Sequence, residues 1–469
     1  MRHYATVLGP AGIFSVAVAC GWISLSDLWR PGSTLAGSVV ILWVIISLGV
    51  HFFVSVLGML RFGSPLQQNA TNIARLRLEG WDPQKRLVLC FVSQGIQEVV
   101  LKSSVEVAIS LCRQLGVVYE VEIVVDTKVP QDPYFEANGC AIIVVPSSYE
   151  TPNQSRFKAR SLSYAAHNRK ERLRSLGDSW VLHCDEDTIL TISTIAGIHE
   201  HLQRVDSSKI CGAGEIKYNV TLTRATDLFS FIECHRTGED LGRFRLQFSE
   251  WGAALFGMHG SFLLVPAELE CRVDFDFGPR GSITEDIYFA LRLRELGIAC
   301  RWIEGYVREQ SPSNSENFVR QRARWIHGLL NGCLDEAFSW KRRALLLGYL
   351  AMWRTTLVSG VVLTCLLLVK MNSPQFVSLW ALSMLVIGTN SWVGAVRNAE
   401  EDVLVSGWRF IGRLSLSVLL IPVVCLFESV AVVLAIMLRP RDFFVVQKDV
   451  PLSDTESVIA YSHALARRG

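Results

Sequence analysis

At 469 residues the chain exceeds one ordinary domain, and half of it is hydrophobic, a proportion that points to a membrane protein rather than a soluble enzyme. Its net charge of +2 leaves no basic excess of the kind that binds nucleic acid. Twelve cysteines show no C-x-x-C pair or zinc-like spacing and read as reduced core residues.

Two apolar segments open the chain, Ala11 to Leu28 and Ala36 to Leu60. The second is long enough to cross about 30 Å of hydrocarbon. The first is a signal peptide or half of a hairpin, and the close second span favours a transmembrane hairpin over 1–60. A linker is expected over 61–85. Next, RLVLCFVSQG (Arg86 to Gly95) reads as a buried strand containing Ser93, followed by a helix around Val105 to Leu115 and the strand Tyr119 to Thr127. Strand, helix, strand implies a parallel sheet, so the fold class is α/β over 86–320. CAIIVVPSSY adds a strand, and Ser155 to Leu176 an amphipathic helix bearing Lys158 and Arg160.

The stretch WVLHCDEDTIL then runs from a buried strand into Asp185, Glu186 and Asp187. Open α/β sheets bind ligands beyond the carboxyl ends of their strands, where Asp126 and these acids fall. In an extended D-x-D, Asp185 and Asp187 project to one side and offer two hard oxygen ligands to a divalent cation. A solvated acidic turn is the competing reading. Farther on, Glu285 and Asp286 follow Thr284 at a helix start, where capping alone would also explain them. Gln321, Arg322, Arg324 and Trp325 lie in a basic segment, 321–345, that reads equally as an interfacial helix. Three candidate spans, Leu357 to Val369, Phe376 to Val396 and Ile411 to Leu438, fall in 346–440, and a tail occupies 441–469. Three crossings would carry RPRDFF and the tail across the membrane, against the positive-inside tendency, a conflict that an extra crossing or a re-entrant piece near Pro422 would resolve. Glu428 is costly in lipid and is expected to face protein.

An Asp after an early strand, D-x-D, T-E-D and Q-R-A-R-W, in that order, together resemble the membrane-bound inverting nucleotide-sugar transferases that include cellulose, chitin and hyaluronan synthases. More narrowly, EVEIVVDTKV, RFKARSLSYA, WVLHCDEDTILT, FDFGPRGSITEDIYFALR and QRARWIHGLL resemble the egghead-type β-1,4-mannosyltransferases. One departure is Asp187, where that group's pattern carries a glutamate. The resemblance implies a GT-A (Rossmann-like) glycosyltransferase domain flanked by transmembrane helices. It implies transfer of mannose from GDP-mannose to glucosylceramide, with Mg2+ or Mn2+, in an endoplasmic reticulum or Golgi membrane with the catalytic domain facing the cytosol. Asp185 and Asp187 would hold the metal, Asp286 with Glu285 would serve catalysis, and Ser93, Asp126, Lys158, Gln321, Arg324 and Trp325 would contact the nucleotide sugar or its acceptor. Arg160 would reach the same phosphates, although a basic helix face explains it and Lys158 equally. The competing functions are a processive polysaccharide synthase, another glycolipid transferase, a retaining glycosidase, and, outside enzymes, a transporter or tethered binding module.

Overall fold

The computed structural model describes residues 35–62, 66–173, 178–204, 210–218, 227–278, 283–369, 374–399 and 408–437. The first expected span and the tail lie outside the described residues. The second span is helix α1 (Leu35–Phe62), in which Ser38–Gly58 is apolar enough to cross a membrane. Where a linker is expected, the chain forms α2 (Leu66–Glu79). Its polar sequence hides one buried stripe, with Leu76, Asn69 and Asn72 turned inward.

The α/β part follows in chain order: β1 (Lys85–Ser93), α3 (Glu98–Gln114), β2 (Tyr119–Val125), α4 (Pro133–Ala137), β3 (Ala141–Val144), α5 (Phe157–Leu173), β4 (Asp178–Asp185) and α6 (Ile192–Gln203). Then come β5 (Ile210–Tyr218), α7 (Asp227–Glu250), β6 (Leu263–Pro266), α8 (Ala267–Val273), α9 (Glu285–Glu295) and β7 (Ala299–Glu309). The central strands β1 and β4 read as continuous apolar runs because helices cover both faces of the sheet. Helix α6 starts at Thr191, whose hydroxyl accepts from the Thr194 N–H in a capping box.

The seven strands lie in the order β3-β2-β1-β4-β6-β5-β7. The sheet is mixed rather than wholly parallel, because β6 runs antiparallel to β4 and β5. A parallel return needs a helix that crosses back over the sheet. Helix α7 packs mainly against membrane-side helices and also on β5 and β7, and the chain that follows it enters β6 from the carboxyl edge, running backwards. Register places Ser93 beside Val125, and Val92 beside Asp185, so the first strands end level with one another.

The remaining helices are α10 (Ser315–Leu334), α11 (Trp340–Leu368), α12 (Pro374–Ala399), α13 (Trp408–Leu419) and α14 (Ile421–Met437). α10 is anchored in the protein along one face: Asn314 caps it, and Phe318, Arg322, Ile326 and Leu329 are buried, with the helix packed on α11 and α14. Trp340–Leu368 and Phe376–Ala399 are long and apolar enough to cross a membrane. The last expected span is bent by 47° between α13 and α14, next to Pro422, which has no N–H to continue the helical ladder. Such a pair is a broken span or a re-entrant loop. Glu428 faces protein as expected: it pairs with Arg322 at 2.8 Å and Arg354 at 2.5 Å.

The α/β part and the membrane helices share close backbone contacts. A Cβ added to Gly238 of α7 would lie 2.0 Å from the Asn390 carbonyl oxygen of α12, and one added to Gly242 would lie 2.5 Å from Ser55 Cα of α1. Glycine alone lets these helices approach so closely. One apolar core accordingly runs from Val88 in β1 to Ala435 in α14. The cysteines among the described residues are free, most of them buried.

Candidate active site

Because β6 alone is reversed, β1, β2, β4, β5 and β7 all point their carboxyl ends at one edge of the sheet. A cavity of about 1200 Å³ opens there, roofed by the starts of α5 and α9 and by α10. All ten candidate residues line it: Ser93, Asp126, Lys158, Asp185, Asp187, Glu285, Asp286, Gln321, Arg324 and Trp325. Segments more than two hundred residues apart therefore meet in one chamber.

The three acids after β4 have separate surroundings. The chain turns at Glu186 and Asp187 instead of staying extended, so side-chain alternation does not apply beyond Asp185. Asp185 accepts from Lys158 Nζ at 2.5 Å. Glu186 is buried and accepts from Ser93 Oγ at 2.6 Å and Gln97 Nε2 at 2.7 Å, tying the β1 loop to the β4 loop. Ser93 thus lines the cavity with its hydroxyl already engaged. Asp187 is buried and accepts from the Gln310 N–H at 2.9 Å.

Lys158 bridges two acid groups, since its ammonium also lies 3.2 Å from Glu285 and donates to the Gly260 carbonyl. Those carboxylates outweigh the cost of burying the ammonium and hold the Lys158 pKa above its ordinary value. Arg160 is tied elsewhere: it bonds Asp126 and the Tyr149 and Pro146 carbonyls, which fixes Asp126 rather than facing phosphate.

Thr284 stands at the N-cap of α9, but its side chain makes no capping hydrogen bond. Asp286 instead accepts from the Ile287 N–H at 2.8 Å, so it serves the helix start itself while its carboxyl also lines the cavity. Burial first, and then the neighbouring Glu285 charge, push the Asp286 carboxyl up to about 7, although Lys158 and Arg324 oppose the rise. A carboxylate so poised gives and takes protons near neutrality. Arg324 reaches the Ile283 carbonyl at 3.4 Å, at the entry to α9. Trp325 lies against two guanidinium groups, Arg322 at 4.3 Å and Arg236 at 4.5 Å from its ring centre.

Several cavity residues escape the sequence reading. Glu309 ends β7 beside Asp187 and hydrogen-bonds Ser261. Burial, then the Asp187 and Asp185 charges, raise it to about 7. Its signal was available, since the alternating run WIEGYVRE ends at the same sheet edge as Asp185. Arg236 sits on α7 and holds His259 Nδ1 at 2.9 Å, while His259 Nε2 faces Asp240 at 2.9 Å. No spacing rule identifies these.

Carboxylates outnumber cations in the chamber. Among the described residues, no three His, Cys, Asp or Glu side chains are gathered so as to hold a metal ion by themselves. The chamber's carboxylates are hard oxygen donors, chemistry that suits a divalent cation such as Mg2+.

Residues 180–394 match glycosyl transferase family group 2. The class is therefore a glycosyltransferase with a GT-A-type α/β domain and apolar helices at both ends. Among curated relatives, Beta-1,4-mannosyltransferase egh of Drosophila melanogaster is 30% identical over 371 residues, covering 78% of each chain. Beta-1,4-mannosyltransferase bre-3 of Caenorhabditis elegans is 29% identical over 376 residues, covering 77% of this chain and 79% of its own. The chain belongs to this egghead-type family of β-1,4-mannosyltransferases and is a hexosyltransferase. Solved structures are more remote: GalNAc-T7 with UDP, GalNAc and Mn2+ has 10% identity and a TM-score of 0.33, over 57% of this chain and 55% of its own.

Proposed function

We propose that the enzyme transfers mannose from GDP-mannose to glucosylceramide in β-1,4 linkage, with inversion at the anomeric carbon. The observation that carries this reading is the convergence of three separated acid and Arg/Trp segments on one cavity, with Asp286 held near neutrality. Asp126 and Asp185 face the nucleoside, and Lys158 and Arg324 face the diphosphate. A divalent cation on Asp185 and Asp187, Mg2+ or Mn2+, would supply Lewis-acid stabilisation of the leaving diphosphate.

Asp286 takes the proton from the acceptor 4-hydroxyl as that oxygen bonds to the anomeric carbon. The bond from that carbon to the diphosphate breaks, and GDP leaves with its charge opposed by Arg324. Afterwards Asp286 releases its proton to solvent. Glu285 keeps Asp286 basic, and Trp325 gives the acceptor sugar an apolar floor. In this reading the catalytic domain faces the cytosol, from an endoplasmic reticulum or Golgi membrane, because Arg61 follows directly on the first described span.

The test is transfer by the purified full-length chain in detergent, with GDP-mannose, other nucleotide sugars and glucosylceramide supplied in all combinations. Linkage analysis of a mannosyl-β-1,4-glucosylceramide product is expected. Turnover with a different donor, or a polymer formed without glucosylceramide, would overturn the reading.

A further inference from the structure

A second cavity, of about 730 Å³, adjoins the first. Asp286, Trp325, Arg236 and His259 line both, so the proposed base stands in a shared wall with a chamber on each side. Beyond that wall the lining changes character. Tyr349 and Trp353 of α11 stack at 5.9 Å with an interplanar angle of 14°, and Phe256 lies 5.0 Å from Tyr349. The Arg243 guanidinium sits over both α11 rings, at 5.2 Å and 5.3 Å. Glu239 accepts from Trp353 Nε1 at 3.0 Å.

Displacement with inversion brings nucleophile and leaving group to opposite sides of the reacting carbon. The first chamber holds the Asp185 and Asp187 pair and Arg324, which suit the leaving diphosphate. The nucleophile then belongs to the chamber across Asp286. Flat rings edged by a carboxylate and a guanidinium suit the C–H faces and hydroxyls of a hexose, whereas an acyl chain would want an all-apolar wall. Position agrees with this. At about 1.5 Å per residue, the 29 residues of α11 exceed the roughly 30 Å hydrocarbon layer, and the charges of Lys341, Arg342 and Arg343 put that excess at its first turns. Tyr349 and Trp353 follow those turns and face α7, which places the cavity at the boundary between headgroups and hydrocarbon.

We propose that this second cavity binds the hexose headgroup of a lipid acceptor, with Tyr349, Trp353 and Arg243 as its specificity wall. The proposal rests on the reading of the enzyme as a glycolipid mannosyltransferase. It assigns acceptor choice to residues of a membrane helix and of α7, outside the acid and Q-R-A-R-W motifs.

The test uses the full chain in nanodiscs with two acceptors, glucosylceramide and the short-chain octyl β-glucoside below its micellar concentration. Tyr349→Leu and Trp353→Phe are expected to raise KM for both acceptors roughly tenfold, the effect of about one stacking contact, while kcat stays within about threefold and GDP binding within about twofold. Tyr349→Phe should restore the KM. An increase confined to glucosylceramide would make the rings membrane anchors and overturn the proposal. So would unchanged KM for both acceptors in variants that melt like the parent. If the parent enzyme transfers no mannose at all, the donor reading fails separately, and octyl β-glucoside binding followed by intrinsic tryptophan fluorescence still decides the cavity. Weaker binding to Tyr349→Leu would then support the assignment, and equal binding would overturn it.

Discussion

Removing Glu428 should cost more stability than any exposed charge in the molecule. This carboxylate joins Arg322 of α10 to Arg354 of α11, and Arg322 also holds Glu233 of α7 at 2.6 Å. All four side chains are almost wholly buried. In Glu428→Ala, Arg322 keeps Glu233 but Arg354 loses the carboxylate it donates to. Leaving a buried charge without its partner costs about 3–5 kcal/mol, a large share of the roughly 5–15 kcal/mol that holds a typical fold. Glu428→Gln retains an acceptor oxygen and should cost about 1.5–3 kcal/mol. The double variant Glu428→Leu, Arg354→Leu removes both charges and should sit closer to the parent than Glu428→Ala does. Thermal unfolding in detergent measures the order: a fall of about 5 °C or more for Ala, less for Gln, and recovery in the double variant. Turnover should fall in step for Ala, because Arg322 anchors the helix that carries Gln321, Arg324 and Trp325. A melting temperature within about 1 °C of the parent for Glu428→Ala would refute the reasoning.

Asp286→Asn should lower turnover by about two to four orders of magnitude with GDP binding retained, and near-normal turnover would remove Asp286 as base. The base works deprotonated and its folded pKa is raised to about 7, so kcat/KM should climb about tenfold per pH unit below 7 and level off above it. The stability sign is opposite. Folded Asp286 keeps its proton up to about 7, whereas an ordinary aspartate gives it up near 3.8, so its contribution to stability declines as pH rises through that window. Asp187→Ala should weaken cation-dependent GDP binding measured by calorimetry, and chelation should abolish transfer by the parent; full activity in excess chelator would remove the cation from the mechanism. The sequons at Asn69, Asn153 and Asn219 should stay unglycosylated in a eukaryotic host, read by glycosidase mobility shift and peptide mass spectrometry. Asn219 lies outside the described residues. Asn69 is buried, so Asn153, exposed and bonded to Asp276, is the informative site: glycan there would place the active site in the lumen.

The sequence made the strand ends and their acids legible because a parallel-type strand covered on both faces is a continuous apolar run whose end is sharp. Ser93, Asp126 and Asp185 could be placed in this way. Asp286 and Arg324 were legible only through order and resemblance, since each motif alone has a bland explanation. The reversed β6 was not legible: LLVP is too short for periodicity, and its direction follows from the edge at which the chain enters it. α2 was missed because its buried face contains asparagines as well as leucine. Glu309 and Arg236 were missed for different reasons, the first from an unread strand end and the second because a charged residue on a polar helix carries no positional signal. The kink near Pro422 and the pairing of Glu428 were foreseeable because lipid penalises an incomplete backbone ladder and an unpaired charge.

The glycine contacts of α7 bear on how the enzyme can be handled. Gly238 and Gly242 bring α7 within backbone distance of α12 and α1, and the core that starts in β1 finishes in α14. A soluble fragment cut at the edges of the α/β part would strip partners from a glycine-lined helix face and halve a shared interior. Such a fragment should aggregate rather than fold, and crystallisation or screening campaigns would do better to keep the membrane helices. The same seam sets where the catalytic chamber stands relative to the apolar helices, so a change in how those helices pack would be felt at the site.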